Sequence, residues 1–336
     1  MAGGNTRVLV TGAGGFIGHH LVTFLKAQGC WVRGVDLKFP EFCATDADEF
    51  DLRDLREWKN CLQVTSGIDV VYGLAADMGG MGYIASNHAR ILHNNSLINL
   101  HTLEAARLNG VRRYLFTSSA CVYPEYRQQE TCVAPLREAE AYPADPQDAY
   151  GWEKLVTEQL CSHYRRDYGM QTRIVRFHNI FGPYGTFDGG REKAPAALCR
   201  KIAIAKLTGN HEIEVWGDGE QTRSFCYIDD CVQGIYKLMQ SNFNEPLNLG
   251  QDRMISINAL AHLIANIAGI DIRLKHVPGP QGVRGRNSDN SLLRAVLGWE
   301  PEISLEYGLA TTYAWIESRV ASKLPLVHAT TAVGAA

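Results

Sequence analysis

Short, mostly apolar runs of β-favouring residues alternate along the first half of the chain with longer stretches of helical character. The strand-like runs are Arg7 to Thr11, Trp31 to Asp36, Asp69 to Ala75, Arg113 to Ser118 and Thr172 to Phe177. Between them lie helical stretches from Phe16 to Gln28, from about His88 to Leu108, and from about Ala149 to Asp167, the last amphipathic through Leu155, Leu160 and Tyr164. Strands that alternate with helices predict an α/β fold, a doubly wound parallel sheet with helices on both faces.

The pattern changes near residue 180. Gly182-Pro183, Gly189-Gly190 and Gly217-Asp-Gly219 punctuate shorter elements, as in a smaller, more irregular lobe. No internal repeat and no proline-rich linker divides the chain, so the two lobes are expected to interweave across one interface. The stretch after Ser322 has neither a helical stripe nor turn residues, and 323–336 is expected to be a loosely held tail.

Composition narrows the class. The 336 residues are 46% apolar and 21% charged, which excludes a disordered chain and a coiled-coil rod. The 33 basic and 36 acidic side chains leave a net charge of −3, so no global field points to nucleic acid or to a membrane surface. No apolar run approaches the roughly 20 residues of a membrane span, and no apolar segment follows the N-terminus. A cytoplasmic protein is expected. The nine cysteines contain no Cys-x-x-Cys pair, which argues against a disulfide framework and against a metal site.

Directly after the first strand stands Gly12-Ala-Gly-Gly15-Phe16-Ile17-Gly18. Glycines at this spacing, between a strand and a helix, let a pyrophosphate approach bare backbone at the positive end of the helix. The expected fold is therefore of the Rossmann type, with a dinucleotide on this turn. Asp36 closes the second strand where a carboxylate can accept hydrogen bonds from the adenosine ribose, which favours NAD over NADP. Asp54 is either a contact to the adenine or an ordinary helix N-cap.

Further on, Tyr150-Gly-Trp-Glu-Lys154 opens a helix, and four-residue spacing puts phenol and ammonium on one face. A neighbouring lysine is expected to lower the phenol's pKa from about 10, as a base acting near neutrality requires. Ser118 and Ser119 end the preceding strand.

The glycine turn, the serine pair and Tyr150-x-x-x-Lys154 together resemble the extended short-chain dehydrogenase/reductase superfamily, over about residues 6 to 320. Leu74-Ala75-Ala76, Asn95, Arg176-x-x-Asn179-x-Phe181-Gly182-Pro183 and Gly217-Asp-Gly-x-Gln221-Thr222-Arg223 extend the match. The resemblance implies a tightly held NAD at Gly12, Gly15, Phe16, Ile17, Gly18, Asp36, Asp54, Ala75, Tyr150 and Lys154. It assigns 1–178, with some later segments, to the NAD-binding domain and 179–322 mainly to a substrate-binding lobe. It also implies a homodimer, paired through the helices near 88–108 and after Tyr150.

Three further blocks narrow the resemblance. They are Asp77-Met-Gly79-Gly80-Met-Gly82, Gly189-Gly-Arg191-Glu192-Lys193-Ala194-Pro195 and Gly282-Val-Arg284-Gly-Arg286. With Cys121 after the serine pair, they are similar to the GDP-mannose 3,5-epimerase family. A cysteine after a strand is otherwise a small buried hydrophobe, and a glycine-flanked Lys193 is otherwise a solvated charge. The similarity implies oxidation at carbon 4 of the hexose of GDP-mannose, with Tyr150 as base and Lys154 in support. Cys121 and Lys193 then invert carbons 3 and 5, giving GDP-L-galactose, with GDP-L-gulose from inversion at carbon 5 alone.

Substrate contacts implied in the same way are Gly79, Ser118, Ser119, Asn179, Glu192, Ala194, Lys201, Gln221, Thr222, Arg223 and Arg286, the last two and Lys201 around the diphosphate. For each cation the alternative is a surface salt bridge. His178 reads as a packed residue. The chain departs from the family at Gly73, where Asn is usual, and along 202–211, which looks longer. Two other readings compete: a 4-epimerase or dehydratase of the same superfamily, and a non-catalytic NAD-sensing protein.

Overall fold

A computed structural model of the chain describes residues 6–323. The first-half elements are β1 (Arg7–Thr11), α1 (Phe16–Ala27), β2 (Trp31–Asp36), β3 (Glu49–Leu52), α2 (Trp58–Thr65), β4 (Val70–Gly73), α3 (Met81–Ser86), α4 (His88–Leu108), β5 (Arg113–Ser119), α5 (Ala149–Tyr168) and β6 (Gln171–Phe177). Strands buried on both faces read as continuous apolar runs, and Val8, Leu9 and Val10 of β1 are each almost fully buried. The strand expected over Asp69 to Ala75 is shorter, because Leu74 and Ala75 turn out of the sheet and donate their N–H groups to Thr11 Oγ1 at 3.0 Å each.

The second half supplies β7 (Ile180–Phe181), α6 (Ala194–Thr208), β8 (Glu212–Trp216), β9 (Thr222–Ser224), β10 (Cys226–Tyr227), α7 (Ile228–Gln240), β11 (Pro246–Leu249), β12 (Met254–Ser256), α8 (Ile257–Ala268), β13 (Arg273–Val277), β14 (Gly285–Arg286), α9 (Ser291–Leu297) and α10 (Leu305–Lys323). The 202–211 segment is the end of α6, a stop at Gly209 with φ of 75°, and the approach to β8. Lys323 belongs to α10, and the rest of the expected tail, 324–336, lies outside the described residues.

Seven strands form one parallel sheet in the order β11-β6-β5-β4-β1-β2-β3. The order reverses between β1 and β4, and in such sheets the carboxyl ends diverge there to leave a crevice. Three small sheets, β7 with β10, β9 between β12 and β14, and β8 with β13, stand with α6, α8 and α10 beyond that crevice. After visiting this second lobe the chain returns through α7, which packs on α1, to β11, which pairs with β6. One apolar core runs through both parts, joining Val10 and Leu21 to Ile202, Leu260 and Leu309.

Where α5 crosses β5 and β6, a buried ion pair fixes the packing. Arg176 on β6 donates to both carboxylate oxygens of Glu158 on α5, at 2.9 and 2.6 Å, and each side chain is 2% exposed. Ser118 Oγ, at the end of β5, donates to the same carboxylate at 2.5 Å. The spare guanidinium donors reach Glu138 O at 2.8 Å and Tyr123 Oη at 3.2 Å. Removing one member of such a pair leaves the other charge buried and uncompensated. Glu158→Ala is therefore expected to cost about 3–5 kcal/mol of stability, read as a lower midpoint in urea unfolding.

Candidate functional site

The crevice at the sheet reversal opens into a cleft of about 1040 Å³ that runs from the glycine turn to the second lobe. All the site residues expected from the sequence line it, with one exception. Thr222 is turned away, its hydroxyl donating to Thr131 O at 2.6 Å.

At the cofactor end, Gly12 sits at φ of 71° and Gly15 begins α1 without a side-chain cap. A Cβ on Gly18 would fall 2.1 Å from Gly12 O, so only glycine lets helix and turn close this tightly. Gly14 N donates to one oxygen of Asp36 at 3.0 Å and Leu37 N to the other at 2.6 Å. Burial nonetheless raises the Asp36 pKa, these N–H groups pulling the other way. Asp54 does not cap α2, whose cap is Glu57. Its carboxylate clasps Arg56, at 2.5 Å for the shortest contact, and that hydrogen bond lowers its pKa.

At the reacting end, Asp148 caps α5 by accepting from Gly151 N at 2.9 Å, which presents Tyr150 in the first turn. A Cβ on Gly151 would lie 2.2 Å from Cys121 O, so glycine here allows α5 to touch the turn that carries Cys121. Ser119 Oγ accepts from Cys121 N at 3.1 Å, and its hydroxyl lies near enough to the Tyr150 phenol to pull its pKa down against the effect of burial. Lys154 Nζ is buried over the rings of Phe116 and Tyr150, 4.8 and 5.4 Å from their centroids, and 3.5 Å from Glu153. Glu153 in turn accepts from Asn95 and Asn99, at 2.9 and 3.0 Å.

On the facing wall, Lys193 ends the loop before α6. It opens to the cleft, yet protein crowds its ammonium, and that desolvation lowers its pKa while the nearby Cys121 thiol works against the shift. The loop is held from the other side, where Gly80 N donates to Arg191 O at 3.0 Å and the Arg191 guanidinium lies 3.9 Å over the ring of Tyr83. Arg286 Nη1 is 3.3 Å from Cys121 Sγ. Arg223 donates to the carbonyls of Thr222, Gln281 and Val283, and burial together with Arg286 pulls its pKa down to about 9. Among the described residues neither arginine has a carboxylate partner, and Gln221 Oε1 is buried with no hydrogen bond. Guanidinium groups without a carboxylate partner suit an anion, and the orphan amide oxygen beside them suits an N–H or O–H donor on the same ligand.

A family model described as the NAD dependent epimerase/dehydratase family matches residues 8–250. The chain belongs to this family. It is 52% identical to the GDP-mannose 3,5-epimerase of Arabidopsis thaliana over 94% of this chain and 83% of that relative. Among solved structures it is similar to a UDP-glucose 4-epimerase from Thermotoga maritima with UDP-glucose, at a TM-score of 0.85 and 27% identity over 94% of this chain and 100% of that one. It is also similar to MoeE5 in complex with UDP-glucuronic acid and NAD, at a TM-score of 0.79 and 28% identity over 93% and 99%.

The cofactor of this epimerase/dehydratase family member is NAD, and the residues present fit it. The glycine turn leaves bare backbone at the start of α1, and Asp36 has carboxylate lone pairs to spare for a ribose. At Gly73 a Cβ would lie 2.8 Å from Tyr114 Oη, so β4 and β5 leave no room there for a side chain.

One expectation changes. Tyr150 has its pKa raised well above 10, not lowered: burial dominates, and Cys121 and Glu153 add to it, while the Lys154 ammonium lies against Glu153. Ser118 spends its hydroxyl on Glu158, and Glu192 spends its carboxylate on Arg200 at 3.1 Å and Gly190 N at 2.7 Å. Asn179 donates to Ser224 O at 2.8 Å, and Lys201 to Glu214 O at 2.6 Å. His178 is fully buried, as a packed residue should be, and desolvation takes its pKa down to about 3. Glu153, Glu158 and Gln128 went unnoticed in the sequence. Only Glu158 left a signal, four residues beyond Lys154 on the same helical face.

Because its pKa is raised, Asp36 takes up a proton earlier on acidification than an ordinary aspartate. NAD affinity is expected to fall on acidification, and to do so at a higher pH than an ordinary aspartate would dictate. Asp36→Asn should flatten that dependence in calorimetric titrations and cost about tenfold at neutral pH.

Proposed function

We propose that this chain inverts carbons 3 and 5 of the hexose in GDP-mannose, producing GDP-L-galactose, and GDP-L-gulose where only carbon 5 inverts. The observation that carries the reading is the pairing of Cys121 and Lys193 in one cleft, with Cys121 within electrostatic reach of both Lys193 and Tyr150. The 52% identity to a GDP-mannose 3,5-epimerase supports the same substrate.

Protons on carbons 3 and 5 are not acidic until the carbon between them is a carbonyl. NAD, held by the glycine turn, Asp36, Ala75, Tyr150 and Lys154, supplies reversible hydride acceptance at carbon 4. Tyr150 takes the carbon-4 hydroxyl proton and later returns it, with Ser119 easing ionisation of the phenol and Lys154 the buried cation over its ring. Burial raises the cost of that anion, so the charge must be shared with a cation brought close. Cys121 and Lys193 then serve as the two proton-transfer groups, one removing a proton and the other delivering one to the opposite face. The lowered pKa of Lys193 makes it a better proton donor than a solvated lysine.

Arg223, Arg286 and Lys201 are assigned to the diphosphate, and Gly79, Asn179, Glu192, Ala194 and Gln221 to the sugar and base. Residues 1–178, joined by α7 and β11, act as the cofactor domain and 179–322 mainly as the substrate lobe. The protein works as a cytoplasmic homodimer. Leu92 and Leu100 on α4 and Trp152 and Val156 on α5 stay exposed on adjacent helices, and a second copy would cover them.

In deuterated water with GDP-mannose, NMR is expected to show deuterium entering at carbons 3 and 5. Incorporation at neither carbon would refute the reading in favour of a 4-epimerase. Tyr150→Phe should abolish turnover, whereas Cys121→Ala or Lys193→Ala should stop deuterium entry and leave slow carbon-4 oxidation. Leu100→Asp with Val156→Asp should sediment as a monomer.

A further inference from the structure

Arg286 touches both the proposed proton-transfer thiol and one buried amide. Its Nη1 is 3.3 Å from Cys121 Sγ, and its Nε donates to Gln128 Oε1 at 2.6 Å. Gln128 is 1% exposed and fully engaged. Its Nε2 donates to Tyr123 O at 3.0 Å and Pro124 O at 3.1 Å, two carbonyls just past Cys121. Its backbone O accepts from Arg284 N at 2.8 Å and Gly285 N at 3.2 Å, at the start of β14. The two carbonyls accept only from the amide nitrogen, so the amide oxygen must face Arg286.

A guanidinium is planar, so a fixed Nε sets the plane and the direction of both Nη groups. We propose that Gln128 is a positioning residue for proton transfer at Cys121: a neutral acceptor that aims the Arg286 guanidinium at the thiol without cancelling its charge. A carboxylate in the same place would form a closed ion pair with the arginine and would have no proton to donate to the carbonyls of Tyr123 and Pro124. The amide leaves the full positive charge for the sulfur and for the substrate's diphosphate. The other titratable groups facing Cys121 are Arg223 from β9, Lys193 before α6 and Tyr150 from α5. Among the described residues Arg286 is the charged group that hydrogen-bonds the sulfur.

The inference rests on Cys121 being a proton-transfer group, but its test does not need turnover. In the NAD-loaded protein, iodoacetamide labelling of Cys121 is followed peptide by peptide in mass spectrometry across about pH 6 to 10, with exposed Cys132 as the internal reference. Because thiolate is the reacting form, Gln128→Leu is expected to slow Cys121 labelling about tenfold near neutrality and to move its profile up by about one pH unit. Gln128→Glu, similar in size, should slow it as well by neutralising Arg286, and it decides the matter if the Leu variant fails to fold. A folded variant of either kind that labels Cys121 like the parent overturns the proposal. With GDP-mannose in deuterated water, Gln128→Leu should lose about tenfold of the exchange at carbons 3 and 5 while carbon-4 oxidation persists. Absence of exchange in the parent protein would defeat the epimerase reading alone, since the labelling comparison still decides the role of Gln128.

Discussion

Two charges removed from water set the geometry of this molecule. The Glu158–Arg176 pair can be tolerated in the interior only while its hydrogen bonds are all in place, and those bonds tie α5 to the ends of β5 and β6. Glu158 lies one helical turn beyond Lys154 and two beyond Tyr150. A shift of α5 by a single residue would break the pair, turn the phenol from Ser119 and lift Gly151 off the Cys121 turn. Tyr150, Lys154 and Cys121 thus take their register from a buried ion pair.

The cleft shows the opposite economy. Arg223 and Arg286 have only carbonyl, amide and sulfur partners, and burial together with the neighbouring Arg286 makes Arg223 harder to keep charged. Such unbalanced positive charge weakens the folded state slightly and readies the site for a dianionic linker. A net charge of −3 conceals this, because the compensating carboxylates stand elsewhere on the surface.

The legible parts of the sequence were those governed by short-range periodicity. Apolar runs such as Val8 to Val10 marked the sheet, the glycine spacing marked the pyrophosphate turn, and helical spacing brought Tyr150 and Lys154 together. What escaped depends on partners far away in the chain. Gln128 gains its meaning from Arg286, 158 positions later, and Thr222 loses its expected place through Thr131, 91 positions earlier. The direction of the Tyr150 shift was misread for a related reason: spacing reveals a neighbouring lysine, but burial and Glu153 decide whose charge that lysine answers. A threonine or a glutamine carries no hint of such pairings until the lobes are docked.

The return of the chain through α7 to β11 has a bearing on how such proteins diversify. The last strand of the main sheet is made after much of the second lobe, and it pairs with β6 from the first half. The two lobes are therefore not modules that recombination could exchange by a single crossover, because a graft at residue 178 would carry off an edge of the sheet it was meant to leave behind. New specificities within this architecture are more readily reached by changing loops such as 77–82 and 186–193, which meet over the cleft without contributing a strand to the main sheet.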